Sequence, residues 1–377
     1  EAGNGPLEKE LVLRHRIQPF SAEYFSPGSS LPLSFDAAAA RIAGDFATAG
    51  RGMVRAFFSA AGAPASDAIA PPEMITLGQL VAFWKDPARA WLRAMQLDVS
   101  DDDPDDTALD EAPLALDALQ AYTVRATALA ARLPPVLGGA SVAIARMAAD
   151  RALPPGALGA LAWELRDREI RLLAIALAPL VTQATPAVIN IPLPSAVRLT
   201  GQILLAPATD RAPWVLAYRT GKYDKKPKYQ LEAFITTLAA AVHLNVPVAC
   251  RVLGIDDGQL HELGPIAVED ARRQLAILVA GYLEGQRRPL CFAPAISSKL
   301  AEALAKSDDE SAALEMAGVN WNLEPYGSQA GGEGTAPAAT LAWRDADPFA
   351  PPHDDAWLQW ARDVAAPLHQ WWRQGAT

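Results

Sequence analysis

The stretch after residue 197 alternates between strand and helix patterns, and this alternation limits the fold more than any other feature. In the first strand pattern, apolar residues occupy alternate positions, at Val197, Leu199, Ile203 and Leu205, which is the spacing of a half-buried strand. The patterns that follow predict a strand over 214–219, a helix over 229–243, a strand over 246–253 and a helix over 269–283. Alternating strands and helices predict an α/β domain.

Before this stretch the sequence is mainly helical. Thr76 and Gln79 have the spacing of a capping box and predict the start of a helix, which Asp86-Pro87 interrupts. Further helices are predicted over 36–61, from Leu114 onward and over 155–177, and a proline-rich connection is predicted over 186–194. We therefore expect a mixed, helix-rich α/β protein in two parts: a mainly helical region over 1–150 and an α/β core over 151–377.

The last part of this core is rich in tryptophan. Apolar residues recur there at helical spacing, at Trp357, Trp360, Val364, Leu368 and Trp371, and they predict a C-terminal helix. A buried core face is the default interpretation of this stripe, and an interface with partner domains is the alternative.

Composition argues against a membrane protein. Hydrophobic residues make up 51% of the chain and charged residues 20%, and no apolar run reaches the roughly 18 to 20 residues that a membrane span needs. The chain opens with Glu-Ala-Gly-Asn-Gly-Pro, so we expect no signal peptide and a piece of a longer polypeptide. Cys250 and Cys291 lie far apart in apolar surroundings, which favours buried thiols in the reducing cytoplasm.

Charge is distributed unevenly along the chain. The net charge of −10 argues against a protein that coats nucleic acid through its whole surface. The segment 98–111 is strongly acidic, and we expect it to form an exposed loop. Four lysines nevertheless fall close together, at Lys222, Lys225, Lys226 and Lys228. This basic spot predicts a local contact with an anionic partner.

Two adjacent strand patterns carry the most informative motif. The first contains Gly201-Gln202-Ile203-Leu204, the second ends in Ala217-Tyr218-Arg219, and Tyr229-Gln230-Leu231 opens the next helix. This frame resembles the nuclease domain of the RecB family, which has a restriction-endonuclease-like core and the motifs G-x-I-D and D-Y-K. In such nucleases two carboxylates and a lysine converge on one Mg²⁺ and the attacking water. The resemblance implies that Leu204, Ala217 and Arg219 occupy those three positions.

None of these replacements preserves the chemistry. Leu204 and Ala217 offer no oxygen to a hard cation, and Arg219 keeps its charge but cannot release its proton as a lysine can. The resemblance also implies a histidine in the upstream helix, where this chain has only Gly159 and Ala160. One branch of this nuclease family binds an iron-sulphur cluster and has a cysteine before a proline in its helical region. The resemblance implies that Asp86-Pro87 occupies that position here, with aspartate in place of the cysteine. We expect no catalytic residue, no metal and no cofactor.

A second resemblance covers more of the chain. In order, "HRIQPFSAEYF", "ITLGQLVAFWKDPARAWLR", "DEAPLALDALQAY", "LPPGALG", "YRTGKYDKKPKYQLEAF" and "LVAGYLEGQRRPLCF" resemble the C-terminal third of the RecC family, the gamma subunits of exodeoxyribonuclease V. The resemblance implies an inactive nuclease fold that serves as a scaffold in an ATP-dependent helicase-nuclease for recombinational repair. It implies RecB-like and RecD-like partner subunits and forked or end-containing DNA, with catalysis in other subunits.

The basic segment "YRTGKYDKKPKYQ" is the predicted DNA contact. The residues expected to bind DNA are Arg219, Lys222, Tyr223, Lys225, Lys226 and Lys228, since lysines neutralise phosphates and an exposed tyrosine stacks on an unpaired base. The alternatives are a solvated turn and an interface with an acidic partner. Two other functions stay open: a nuclease with a site rebuilt from Asp210, Asp224 or Glu232, and an unrelated interaction protein.

Overall fold

A mixed sheet of six strands, with helices on both faces, organises most of the chain. The computed structural model describes residues 15–29, 31, 33–48, 72–99, 115–133, 139–150, 152–193, 197–207, 212–223, 226–255, 260–307, 309–325, 331–344 and 346–374. Contacts divide the chain into two compact units, Glu1–Ala63 and Pro64–Thr377. The predicted mixed α/β class is confirmed, whereas the boundary predicted near residue 150 stays a prediction.

The first unit contains a 3-10 turn, Ala22–Tyr24, and helix α1, Ala37–Thr48. Tyr24 is buried there, and its hydroxyl oxygen accepts the backbone N–H of Arg16 at 2.7 Å. The rest of the helix predicted over 36–61 lies outside the described residues, as does nearly all of the acidic segment 98–111.

The second unit begins with a strand and two short helices: β1, Met74–Thr76, α2, Leu77–Lys85, and α3, Pro87–Ala94. The predicted capping box is confirmed, because Thr76 Oγ1 accepts the Gln79 N–H at 3.1 Å and Gln79 Oε1 accepts the Thr76 N–H at 2.8 Å. Asp86 separates the two helices and caps α3 by accepting the Arg89 N–H at 3.0 Å. Three further helices follow: α4, Ala118–Ala130, α5, Gly139–Ala149, and α6, Ala157–Gln183.

The other strands are β2, Thr185–Pro192, β3, Arg198–Ala206, β4, Trp214–Tyr218, β5, Val248–Leu253, and β6, His261–Ile266. Strand β3 pairs with β2 along its whole length on one side. Its other side pairs in parallel with β1 at its start and antiparallel with β4 at its end. Strand β5 runs parallel to β4 and antiparallel to β6.

The proline-rich connection predicted over 186–194 is wrong, since this segment contains β2. Pro186 and Pro192 lie within the strand, opposite Leu204 and Arg198. Among the described residues β2 pairs only with β3, so it is an edge strand, where proline is tolerated because one row of N–H groups has no strand to bond. The prolines of this segment therefore led to the prediction of a connection where the chain forms an edge strand.

Seven helices follow β4 in the described part of the chain: α7, Pro227–Leu244, α8, Val268–Gly285, α9, Pro294–Leu304, α10, Glu310–Trp321, α11, Pro337–Ala342, α12, Asp354–Trp360, and α13, Ala366–Gln374. A π-helical turn, Ala361–Ala365, joins the last two. The predicted helices over 229–243 and 269–283 correspond to α7 and α8, and each is longer than predicted by a few residues.

Two hydrophobic cores cover the two faces of the sheet. The first core contains residues of α2, α7, α8, α9 and the C-terminal helices, and the second contains residues of α4, α5 and α6. Trp357, Trp360 and Trp371 belong to the first core, so the core interpretation of the tryptophan stripe is confirmed. Cys250 and Cys291 are buried free thiols, as predicted, and burial raises the pKa of each to about 12.

Candidate functional site

The candidate site lies where β3 and β4 separate. The described hydrogen-bonded register between them consists of two pairs, Leu205 with Val215 and Ala206 with Trp214. Beyond these pairs, half-buried Leu204 packs against the second core and half-buried Ala217 against the first core. The two positions that would carry metal carboxylates in a nuclease thus contact different cores, and both are occupied by apolar side chains that pack.

The third position of the frame, Arg219, is held by an aromatic ring and by backbone. Its backbone N–H donates to the Leu253 carbonyl at 3.2 Å. Its guanidinium carbon lies 3.2 Å from the centroid of the Tyr229 ring, and its Nη1 donates to the Lys222 carbonyl. A Cβ atom on Gly221 would lie 2.8 Å from Arg219 Nη2. Gly221 therefore leaves the space that the guanidinium fills.

Tyr229 is the centre of a small cationic cluster. Besides Arg219, Lys228 Nζ lies 5.0 Å and Lys85 Nζ 5.4 Å from the centroid of its ring. Lys85 also forms an ion pair with Glu232 at 2.6 Å. Sequence reasoning missed Lys85, because it reaches the cluster from α2 and no local pattern connects the two segments.

Tyr223 corrects one of the predicted DNA contacts. Its side chain is only 7% exposed and belongs to the first core, where its ring centroid lies 6.0 Å from that of Trp372. Burial raises the pKa of its hydroxyl above the usual range. Its carbonyl accepts Gln230 Nε2–H at 3.1 Å. The prediction that Tyr223 stacks on a base is wrong, because packing against α7 and the C-terminal helix covers the ring.

The lysines differ from Tyr223 in their surroundings. Lys222, Lys226 and Lys228 are exposed on and after the turn that follows β4. Lys225 lies outside the described residues. The structure thus brings Arg219 and Lys228 together at Tyr229 and leaves Lys222, Lys226 and Lys228 exposed.

Several positions that could hold a metal carry other structural roles. A Cβ atom on Gly159 would lie 2.2 Å from the Pro154 carbonyl oxygen, so a histidine does not fit there. Asp86 caps α3 and also contacts Arg89 Nε at 3.1 Å. Glu232 is paired with Lys85, and Asp210 and Asp224 lie outside the described residues. Within the part of the chain that the structure describes, no three His, Cys, Asp or Glu side chains are grouped to hold a metal ion.

A cavity of about 240 Å³ adjoins the frame, between α4 and the end of β4. Its lining includes Tyr122, Leu129, Tyr218, Arg219 and Thr220. The Thr220 hydroxyl is buried and has no hydrogen-bond partner among the described residues, and Tyr218 is partly exposed. Tyr122 was not predicted, because only the packing of α4 brings it beside β4.

None of the described helices is long and apolar enough to cross a bilayer.

Comparisons with known proteins agree on one family. The family described as RecC C-terminal domain matches residues 72–305, more than half of the chain. The RecBCD enzyme subunit RecC of Mycobacterium tuberculosis (strain ATCC 25618 / H37Rv) is 29% identical over 358 residues, which cover 92% of this chain and 30% of that protein.

The RecBCD enzyme subunit RecC of Mycolicibacterium smegmatis (strain ATCC 700084 / mc(2)155) is 31% identical over 318 residues, which cover 80% of this chain and 27% of the relative. The chain therefore spans less than a third of the length of these curated relatives. Since the family match includes β1 to β6 and the candidate site between β3 and β4, the chain belongs to the RecC C-terminal domain family.

Proposed function

We propose that this chain is a non-catalytic scaffold and DNA-guiding domain of a RecBCD-type helicase-nuclease that acts at double-strand breaks in recombinational repair. Its curated relatives are named as RecC subunits of the RecBCD enzyme. On this proposal the partners are RecB-like and RecD-like subunits and forked or end-containing DNA. Cleavage and ATP hydrolysis belong to other subunits, and the complex works in the cytoplasm.

The observation that carries the non-catalytic part is the stacking of Arg219 on Tyr229. A lysine in this position of a nuclease would move a proton near the attacking water, whereas a guanidinium stays protonated. Here the guanidinium lies 3.2 Å from the ring centroid and donates to the Lys222 carbonyl. Its contacts fix the turn after β4, and the apolar residues Leu204 and Ala217 fill cores. The former catalytic frame therefore supports packing.

The DNA-guiding part depends on the exposed lysines of the same turn. Lys222, Lys226 and Lys228 follow the Arg219 stack directly, on a chain whose net charge is −10. Lysines that neutralise phosphates release counterions, so their contribution to affinity falls as salt rises. Several exposed lysines close together in the chain can contact a DNA backbone without reading its sequence. Tyr223 has no part in this contact.

The test compares two double variants in forked-DNA binding by the complex that contains this chain. Lys226→Glu with Lys228→Glu changes the basic turn, and Lys299→Glu with Lys306→Glu makes the same change of charge on two exposed lysines, one in α9 and one just after its end. We expect the turn variant to bind more weakly and its log–log salt slope to flatten by about one to two units. The α9 variant should bind as the unmodified complex does. Equal slopes for all three proteins would exclude the proposed DNA contact.

A further inference from the structure

Helix α6 is apolar on two opposite faces. One face, with Trp163, Ile170, Leu173 and Leu177, is buried in the second core. The other face carries large aliphatic side chains that are between 42% and 73% exposed, and these are Leu158, Leu161, Leu165, Leu172 and Ile175. We call this second face the α6 stripe. This second face differs from the outer face of an ordinary surface helix, which is charged or polar.

The spacing of the α6 stripe is that of a helix-pairing surface. Its members are three, four, seven and three residues apart, which is the repeat that places side chains along one seam of a helix. At 100° per residue they fall within an arc of about 100°. From Leu158 to Ile175 the stripe runs about 26 Å along the axis. Singly exposed leucines are ordinary on a protein surface, but five large apolar side chains along one helix face mark an interaction site.

One charged residue interrupts the stripe and limits what can cover it. Arg168 fills the step between Leu165 and Leu172, and its side chain is 70% exposed. In this chain it contacts Glu164, itself 66% exposed, at 3.5 Å, a distance and an exposure at which an ion pair contributes little. A partner that buries the stripe also removes water from Arg168. A carboxylate of the partner facing Arg168 would add to the contact with Glu164 and lower the cost of burying the guanidinium.

We propose that the α6 stripe docks an amphipathic α-helix of a partner subunit, with apolar residues at three- and four-residue spacing and an acidic residue facing Arg168. The curated relatives are named subunits of an enzyme, so a permanent partner chain is available to cover an apolar face. This inference rests on the proposed function, because it requires assembly with a RecB-like or RecD-like subunit. It adds the surface and the chemistry of the contact.

The test measures assembly of the chain co-produced with RecB-like and RecD-like subunits. Leu165→Glu with Leu172→Glu places two charges in the stripe. Met316→Glu with Val319→Glu is the matched control on α10, where the two side chains are 38% and 66% exposed. We expect the stripe variant to retain on the order of tenfold less partner than the unmodified chain, and the control to retain the normal amount. Arg168→Glu should also reduce assembly, unlike Arg146→Glu, whose side chain is 83% exposed on α5.

Melting temperatures of the isolated variants serve as the folding control. Each variant should melt close to the unmodified chain, because the substituted side chains are exposed. A photoreactive residue at position 172 then identifies the occupant, and a cross-linked partner segment with helical apolar spacing and an acidic residue is the expected result. Normal assembly of the stripe variant overturns the inference and leaves the proposed function intact. Failure of the unmodified chain to assemble overturns both. A homodimer of the isolated chain that the stripe variant abolishes also overturns the inference, because the occupant is then a second copy.

Discussion

The guanidinium of Arg219 stacks on the ring of Tyr229, with 3.2 Å between the guanidinium carbon and the ring centroid. Arg219 is predicted to occupy the lysine position of a nuclease frame, and Tyr229 lies in the first turn of α7. The same residues that would organise metal chemistry in a nuclease here join the end of β4 to the start of α7. The stack therefore connects the strand to the helix that follows it.

Replacing Arg219 should lower stability measurably. Arg219→Ala removes the cation–π contact, which contributes about 1 to 2 kcal/mol when partly desolvated, and the bond to the Lys222 carbonyl. We expect a decrease of the free energy of unfolding of that order in urea titrations. Arg344→Ala changes an exposed arginine that follows α11 and should have an effect within about 0.5 kcal/mol. Equal effects of the two substitutions would show that the stack does not stabilise the fold.

Gly201 should resist even the smallest enlargement. A Cβ atom there would lie 2.8 Å from the Leu77 Cβ, so α2 packs directly on the backbone of β3. We expect Gly201→Ala to destabilise the chain by about 1 to 3 kcal/mol through overpacking. In Gly78→Ala, the new Cβ would meet only Thr76 Oγ1, at 4.0 Å, and alanine favours helix by up to about 1 kcal/mol. Thermal unfolding should therefore show a lower melting temperature for Gly201→Ala and a melting temperature that is unchanged or higher for Gly78→Ala.

The ion pair of Arg132 and Asp167 should make stability depend on pH. Hydrogen bonds from Arg132 lower the pKa of the Asp167 carboxyl, with Nη2 to Oδ2 at 2.5 Å. Because the folded-state pKa is depressed, the stabilisation is fully present above the unfolded value of about 4 and is lost as the pH falls through the folded value. Asp167→Asn should cost about 1 to 2 kcal/mol at neutral pH, and the cost should shrink in acid.

The control for this pair is Asp150→Asn. Asp150 lies 3.8 Å from Arg146, and their side chains are 65% and 83% exposed, so the substitution should change stability by less than about 0.5 kcal/mol at any pH. If Asp167→Asn lowered the free energy of unfolding equally at neutral and acidic pH, the charge of the Asp167 carboxylate would not contribute to stability.

Features with a local cause could be predicted from the sequence. Thr76 and Gln79 form the capping box, and Asp86-Pro87 divides α2 from α3, because capping and proline geometry act over a few residues. The alternating apolar residues of β3 and the spacing of the tryptophans near the C-terminus also predicted a strand and a helix there. That Leu204, Ala217 and Arg219 occupy the metal and lysine positions of a nuclease stays a prediction, because it depends on the motif order alone.

Features set by long-range packing could not be predicted. Strand β2 contains two prolines, and β6 contains Gly264-Pro265 and exposes much of its length, so neither has a strand-like sequence. The hydrogen bonds of β3 and β5 determine their conformation. Tyr223 follows a lysine in a basic segment, yet its ring is buried beside Trp372 of α13. Lys85 and Tyr122 reach the site from helices distant in sequence.

Cleavage of linear single- and double-stranded DNA by the purified chain, with Mg²⁺ or Mn²⁺ and an EDTA control, tests the central claim most directly. The comparison is with the Ala217→Asp, Arg219→Lys variant, which restores two of the three frame positions while Leu204 remains packed against the other core. We expect no cleavage above the EDTA background from either protein. EDTA-sensitive cutting by the unmodified chain would contradict a non-catalytic frame.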